Sequence, residues 1–158
     1  TVLGAQPFKA NHPKTPGLRL FRFVSTYGVG KLLLHSKDFV VSLVLEDYGI
    51  DPGIVRDSQM LGILSSQNRA YSGDFGSVSD LKNLIISEVL EPSPEGLSTY
   101  RRFGMLGEEV EPCIWLQETE GRKYWVVVTP CLLSRTTLNT VGLGDCLTAG
   151  SVLGEIAS

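Results

Sequence analysis

The sequence predicts an α/β sandwich. Three observations carry that expectation: short runs rich in Val, Leu and Ile bounded by Gly and Pro, stretches whose apolar residues recur at helical spacing, and the mixing of both kinds within one chain of 158 residues. A strict strand-helix-strand alternation is not seen. At this length one ordinary domain is expected, and 42% hydrophobic residues suffice for a core that buries roughly 70% of the unfolded surface, which excludes disorder.

Residues 1 to 17 carry Pro7, Pro13, Pro16, Gly4 and Gly17, a density of breakers that predicts a connector or a truncated edge. The chain starts at Thr1 and not Met, which suggests a processed or truncated polypeptide. Residues 18 to 158 are expected to form the folded unit. Leu18, Leu20, Phe21 and Phe23 nearly alternate with Arg19 and Arg22, predicting a strand, and Lys31 to His35 predicts a second one after the turn Gly28-Val29-Gly30. Phe39 to Leu45 suits a buried strand or the start of a helix. Asp51-Pro52-Gly53 reads as a turn, followed by a helix whose apolar face is Ile54, Met60, Leu61, Leu64 and Ala70, ending before Gly73.

Ser77 to Asp80 has the form of a capping box before a helix carrying Leu81, Leu84, Ile85, Val89 and Leu90, which Pro92 ends. Glu91 to Gly96 reads as a loop, and Leu97 to Leu106 as a short helix weakened by Gly104. Cys113 to Leu116 and Lys123 to Val128, joined by the polar stretch Glu118 to Arg122, predict a hairpin, and Leu132 to Leu133 an edge strand. Gly142 opens a final helix towards Ala157.

Charge and cysteine usage narrow the function. Fourteen Lys and Arg against 17 Asp and Glu give a net charge of −3, with no basic stripe to track phosphates, so a nucleic-acid binder is not expected. The acidic excess between Glu88 and Glu120 reads as a solvated face. No apolar run approaches the roughly 18 residues of a membrane span, and no secretory signal is visible. Three cysteines without a C-x-x-C pair suggest neither a disulfide framework nor a zinc knuckle, and a reducing cytoplasm is the simplest compartment.

Gly28-Val29-Gly30-Lys31 looks like the end of a P-loop, but Ser25 and Leu32 stand where that motif needs Gly and Ser or Thr. The informative segment is Asn139 to Gly150, with Gly142-Leu143-Gly144-Asp145 opening the last helix. Two glycines one residue apart let successive backbone N–H groups turn towards one point, where the positive end of the helix dipole adds to them. That is an anion hole, beside which Asp145 can accept a proton from an alcohol. A bare Gly-x-Gly-Asp has a blander meaning, a turn with Asp as an ordinary N-cap.

The longer match Thr140-Val-Gly-Leu-Gly-Asp145 resembles the C-terminal signature of the ADP-dependent sugar kinases, the glucokinases and phosphofructokinases of the ribokinase-like superfamily. His35-Ser36-Lys37-Asp38-Phe39 is similar to a stretch bordering their nucleotide pocket, with Phe39 where the family often has Tyr, and Trp125 to Pro130 also looks like the family. The resemblance implies part of a three-layer ribokinase-like sandwich with a mostly parallel sheet, a C-terminal hairpin and a final helix. It implies Asp145 as catalytic base, the amides of Gly142, Leu143 and Gly144 as phosphate binders, and His35, Ser36, Phe39, Ser134 and Thr140 along the nucleotide. It implies ADP as donor, glucose or fructose 6-phosphate as acceptor, and Mg²⁺ held mainly by residues outside this chain, since neither N-x-x-E nor H-x-E occurs here. The remainder of a longer kinase chain would then be its partner, and this chain alone an inactive portion. A non-catalytic nucleotide-binding or interaction module and an ATP-using relative are the alternatives.

Overall fold

The computed structural model describes residues 15–73, 77, 79, 90–105, 109–134 and 140–158. The first element is a helix, α1 (Thr15–Tyr27), where alternation had predicted a strand at Leu18 to Phe23. Leu20, Phe21 and Val24 are the buried residues of this stretch, and their spacing of one and three is helical, so Arg19 and Arg22 punctuate a helix surface and not a pleat. Residues 15–17 belong to the same helix, not to a connector: Pro16 lies in the first turn, where its missing N–H costs nothing.

Gly28, with φ of 64°, reverses the chain into β1 (Lys31–His35), which pairs antiparallel with β2 (Phe39–Leu45). The ambiguous apolar run is therefore a strand. After a 3-10 turn at Glu46–Tyr48, Asp51 caps α2 (Pro52–Ser72) by accepting from the Gly53 N–H, and Gly73 closes it in the left-handed conformation. The capping box and helix expected over residues 77 to 89 fall almost wholly outside the described residues. Leu90 is already in a short strand, β3 (Leu90–Pro92), and Pro94, read above as loop, begins α3 (Pro94–Gly104), capped by the Ser93 hydroxyl.

β4 (Glu109–Glu111), β5 (Ile114–Thr119) and β6 (Arg122–Pro130) follow. The expected hairpin is β5–β6, turned by Glu120 and Gly121 at φ of 55° and 72°, the two positive angles of a type I′ turn. β7 (Leu132–Ser134) pairs with β3 in a separate two-stranded sheet, and α4 (Leu143–Ile156) ends the fold between Gly142 and Ala157.

The main sheet has the order β1-β2-β6-β5-β4, and every pairing described is antiparallel. The expectation of a mostly parallel sheet is overturned. Three of its four pairings are hairpins, β1–β2, β4–β5 and β5–β6, and a tight hairpin can only join antiparallel strands.

Both sheet faces are covered. Leu20, Phe21, Val24 and Phe103 of α1 and α3 pack on Val41, Leu43, Val126 and Val128; on the other face Val55 and Ile63 of α2 and Leu147 of α4 meet Val40, Val44 and Val127. Burial on both faces explains why β2 reads Phe-Val-Val-Ser-Leu-Val-Leu without alternation. Its one polar residue is satisfied: buried Gln59 of α2 donates to the Ser42 hydroxyl at 2.8 Å and accepts from Thr129 of β6 at 2.6 Å.

α2 is buried well beyond the single apolar face expected of it, because α4 packs closely along its side. The contact runs through small residues. A Cβ on Gly62 would stand 2.3 Å from the Leu147 carbonyl oxygen, one on Gly150 2.8 Å from the Gly62 Cα, and one on Gly154 2.8 Å from the Ser58 hydroxyl. Backbones this close are possible only where the side chains are hydrogen or hydroxymethyl.

Candidate functional site

Four chain segments converge on a cavity of about 740 Å³: the β1–β2 turn, the C-terminal half of α2, the Cys131–Leu133 stretch that leads from β6 into β7, and the N-terminus of α4. The turn is shaped by Ser36, whose hydroxyl accepts from the N–H groups of Asp38 at 3.1 Å and Phe39 at 3.2 Å. Asp38 anchors it below, its carbonyl accepting from Cys131 N–H at 2.8 Å and its carboxylate accepting from Ser93 Oγ at 2.7 Å. These bonds fix the direction in which His35 leaves β1.

His35 meets the glycine turn directly. A Cβ on Gly144 would lie 2.9 Å from the His35 Cε1, so the imidazole occupies the space that a glycine leaves at the second residue of α4. Positive φ, 76°, occurs at Gly142, the N-cap, and not at Gly144. The two glycines therefore serve different needs, one a backbone reversal and the other a close approach. Cys146 N–H donates to the Gly142 carbonyl at 2.9 Å, and the first N–H groups of α4 have no intrahelical acceptor. They carry the positive end of the helix dipole.

α4 packs chiefly on α2, and β1 meets it near both ends. His35 faces Gly144, Leu33 packs on the cluster containing Leu147, and the Lys31 ammonium pairs with the Glu155 carboxylate, both side chains about 15% exposed (14% and 16%).

Of the residues singled out by sequence, His35, Ser36, Thr140, Leu143 and Gly144 line the cavity together. Phe39 does not: it packs against the core with Val41 and Leu43, so no ring from this position lies along the cleft. The Ser134 side chain lies outside the described residues, although its neighbour Leu133 lines the wall. Asp145 is not the N-cap but the third residue of α4, exposed, one position beyond the lining residue Gly144.

Sequence reading missed Lys37, Ser66, Gln67, Ala70, Cys131 and Leu147. The signal for the α2 pair was present in Ser65-Ser66-Gln67-Asn68, four polar residues in succession on a helix that otherwise serves the core. Lys37 is the one Lys or Arg among the lining residues. Cys131 is inert, because burial, with a smaller contribution from Asp38, pushes its thiol up to about 12. Cys146, next to Asp145, is buried and packs.

Chemically, the cavity joins apolar walls to a helix N-terminus, a cation and an imidazole, a combination suited to a flat apolar group carrying an anionic tail. Among the described residues no three of His, Cys, Asp and Glu come together to hold a metal. No described helix is long and apolar enough to cross a membrane.

No protein-family model matches the sequence, and no curated protein sequence is similar to it. Solved structures are similar in fold. A phosphofructokinase from Pyrococcus horikoshii OT3 determined with AMP superposes with a TM-score of 0.72 at 21% identity, over 95% of this chain and 31% of that one. The last common ancestor of the ADP-dependent phosphofructokinases from Methanosarcinales gives 0.73 at 18%, over 87% and 28%. An ADP-dependent kinase in complex with fructose-6-phosphate and ADPβS gives 0.71 at 17%, over 87% and 30%. The chain is thus similar in fold to under a third of each of these kinases.

Proposed function

We propose that this chain is the C-terminal portion of an ADP-dependent sugar kinase, binding the nucleotide phosphates and supplying the base for phosphoryl transfer. The observation that carries the reading is the Gly142–Gly144 turn opening α4 onto the cavity beneath His35, with Asp145 one residue further. The AMP, ADPβS and fructose-6-phosphate named for its fold neighbours support the same ligand class.

The nucleotide enters between α2 and β7, with its base against Ala70, Leu133 and Leu147 and its phosphates towards the amides of Leu143 and Gly144. Lys37 adds charge at the rim. Asp145 takes the proton of the attacking sugar hydroxyl, and the amides hold the charge that develops on the transferring group. Magnesium would neutralise further phosphate charge; its ligands are proposed to lie outside this chain, as is the sugar site, so glucose and fructose 6-phosphate are equally open acceptors.

A second reading, a non-catalytic nucleotide-binding module, is favoured by the placement of Asp145 outside the cavity lining. Calorimetric titration with AMP, ADP and ATP, followed by Asp145→Asn in a kinase-length polypeptide, separates these. The kinase reading requires binding of AMP and ADP ahead of ATP, abolished by Gly144→Val. It also requires a fall in kcat of at least ~10²-fold in Asp145→Asn with nucleotide affinity retained. Unchanged turnover in Asp145→Asn removes Asp145 as the base, and nucleotide binding without any turnover in the parent polypeptide leaves only the binding module.

A further inference from the structure

Three stretches remote in sequence close a ring of hydrogen bonds behind the β1–β2 turn. The Asp38 carbonyl accepts from the Cys131 N–H at 2.8 Å, the Cys131 carbonyl accepts from the Ser93 N–H at 2.8 Å, and the Ser93 hydroxyl donates to the Asp38 carboxylate at 2.7 Å. Ser93 is 0% exposed, and its hydroxyl oxygen also accepts from the Gly96 N–H at 3.2 Å, which leaves its one proton for Asp38. The fit is close on the α3 side, where a Cβ on Gly96 would collide with the Asp38 carbonyl oxygen.

Asp38 directly follows three residues that line the cavity, His35, Ser36 and Lys37. Its carboxylate bonds to the cap of α3, a helix packed on the sheet face opposite to α2 and α4. A carboxylate beside a cavity suited to an anionic tail opposes binding by charge, but directed at the first turn of α3 it meets the positive end of that helix instead. The bond is charge-assisted, the kind that holds geometry most firmly. Such firmness matters here, because His35 sits in the space left by Gly144 and a small shift of the turn would part them.

We infer that Asp38 is a positioning residue of the nucleotide site: bonded to Ser93, it fixes where Ser36 and Lys37 stand relative to the amides of Leu143 and Gly144, so that the rim cation and the helix end reach the same phosphate group. This rests on the nucleotide-binding reading above. Asp38 touches no reacting group itself and acts through the turn. The hydrogen bond sets the geometry, so an uncharged acceptor of the same shape serves equally and removes the opposing charge.

The test compares Asp38→Asn, Asp38→Ala, Ser93→Ala and the double variant Asp38→Ala with Ser93→Ala by calorimetric titration with AMP, at a temperature where circular dichroism shows each folded. Asp38→Ala and Ser93→Ala are each expected to bind AMP about tenfold more weakly and the double variant no more weakly than either, with Asp38→Asn within about threefold of the parent because its amide oxygen still accepts from Ser93. Asp51→Ala, which removes the cap at the far end of α2, should lower Tm and leave AMP binding unchanged, separating position from stability. Unchanged binding in Asp38→Ala, additive losses in the double variant, a loss in Asp38→Asn equal to that in Asp38→Ala, or an equal loss in Asp51→Ala each overturn the inference. A parent chain that binds no AMP counts against the nucleotide reading alone. The positioning is then judged by the nuclear Overhauser contact between the His35 Hε1 and Gly144 Hα protons, expected in the parent and lost in Asp38→Ala, and its persistence in that variant overturns the inference.

Discussion

Gly62→Ala tests the seam that holds α4 in place. In an ordinary helix interior this change stabilises by up to about 1 kcal/mol through helix propensity. Here the new methyl would sit 2.3 Å from the Leu147 carbonyl oxygen and 2.4 Å from the Ser151 hydroxyl. Relieving both to an ordinary contact needs the helices to part by about 1 Å, and neither backbone can swing aside as a long side chain would. Overpacking of this kind costs ~1–3 kcal/mol, so the net expectation is destabilisation by about 1–2 kcal/mol, read as a fall of roughly 2–8 °C in Tm. Gly104→Ala, where nothing lies within 4 Å of the new methyl, is the control and should be neutral or slightly stabilising. Because α4 moves bodily, Gly62→Ala should also weaken AMP binding although residue 62 does not line the cavity. Thermal and urea unfolding followed by circular dichroism decide the first point and calorimetry the second. A Gly62→Ala chain as stable as the parent would mean that the close approach of α2 and α4 is not where the helix gets its position.

Three further expectations follow from other parts of the molecule. Gln59→Leu strands the Ser42 and Thr129 hydroxyls, 0% and 1% exposed, and should cost about 2–4 kcal/mol; adding Ser42→Ala and Thr129→Val should recover most of it, and failure to recover refutes the network as the cause. The Cys131 thiol ionises in the unfolded chain near pH 8.5 but in the folded one only at about 12. The stability it contributes is therefore complete below about pH 8.5 and lost as pH rises towards 12, and Cys131→Val should flatten that alkaline decline in urea midpoints. The 158-residue chain alone should phosphorylate neither glucose nor fructose 6-phosphate with ADP and Mg²⁺ in a coupled assay, because orienting the reactants is worth ~7–11 kcal/mol and the acidic metal motifs are missing from it. Robust turnover would overthrow the idea of an incomplete kinase.

What the sequence made legible was local. The β5–β6 hairpin, the end of α2 at Gly73 and the glycine turn into α4 each depend on a few adjacent residues, and each is found where expected; Asp51-Pro52-Gly53, read as a turn, instead caps and opens α2. α1 was misread because Arg19 and Arg22 interrupt the apolar run and give it the look of alternation, although their spacing of three is helical. Strand direction was invisible, since Leu32 and Val41 carry no mark of which way a neighbour runs; it was taken from the resemblance. In the site, His35 and Gly144 were recognised separately, but that one fills the space vacated by the other is a distance between residues 109 positions apart. Phe39 was expected in the cleft because it stands in the right segment, yet strand parity turns it to the core.

The two contacts between α4 and β1 act as a two-scale ruler. From Gly144 to Glu155 a helix advances about 16 Å, and from His35 back to Lys31 a strand advances about 13 Å, so the two elements meet near both ends. A slip of one residue would rotate the helix by about 100° and break both contacts together. The place of the glycine turn that opens α4 is thus fixed by two neighbours at once, the strand it touches and the helix it packs on.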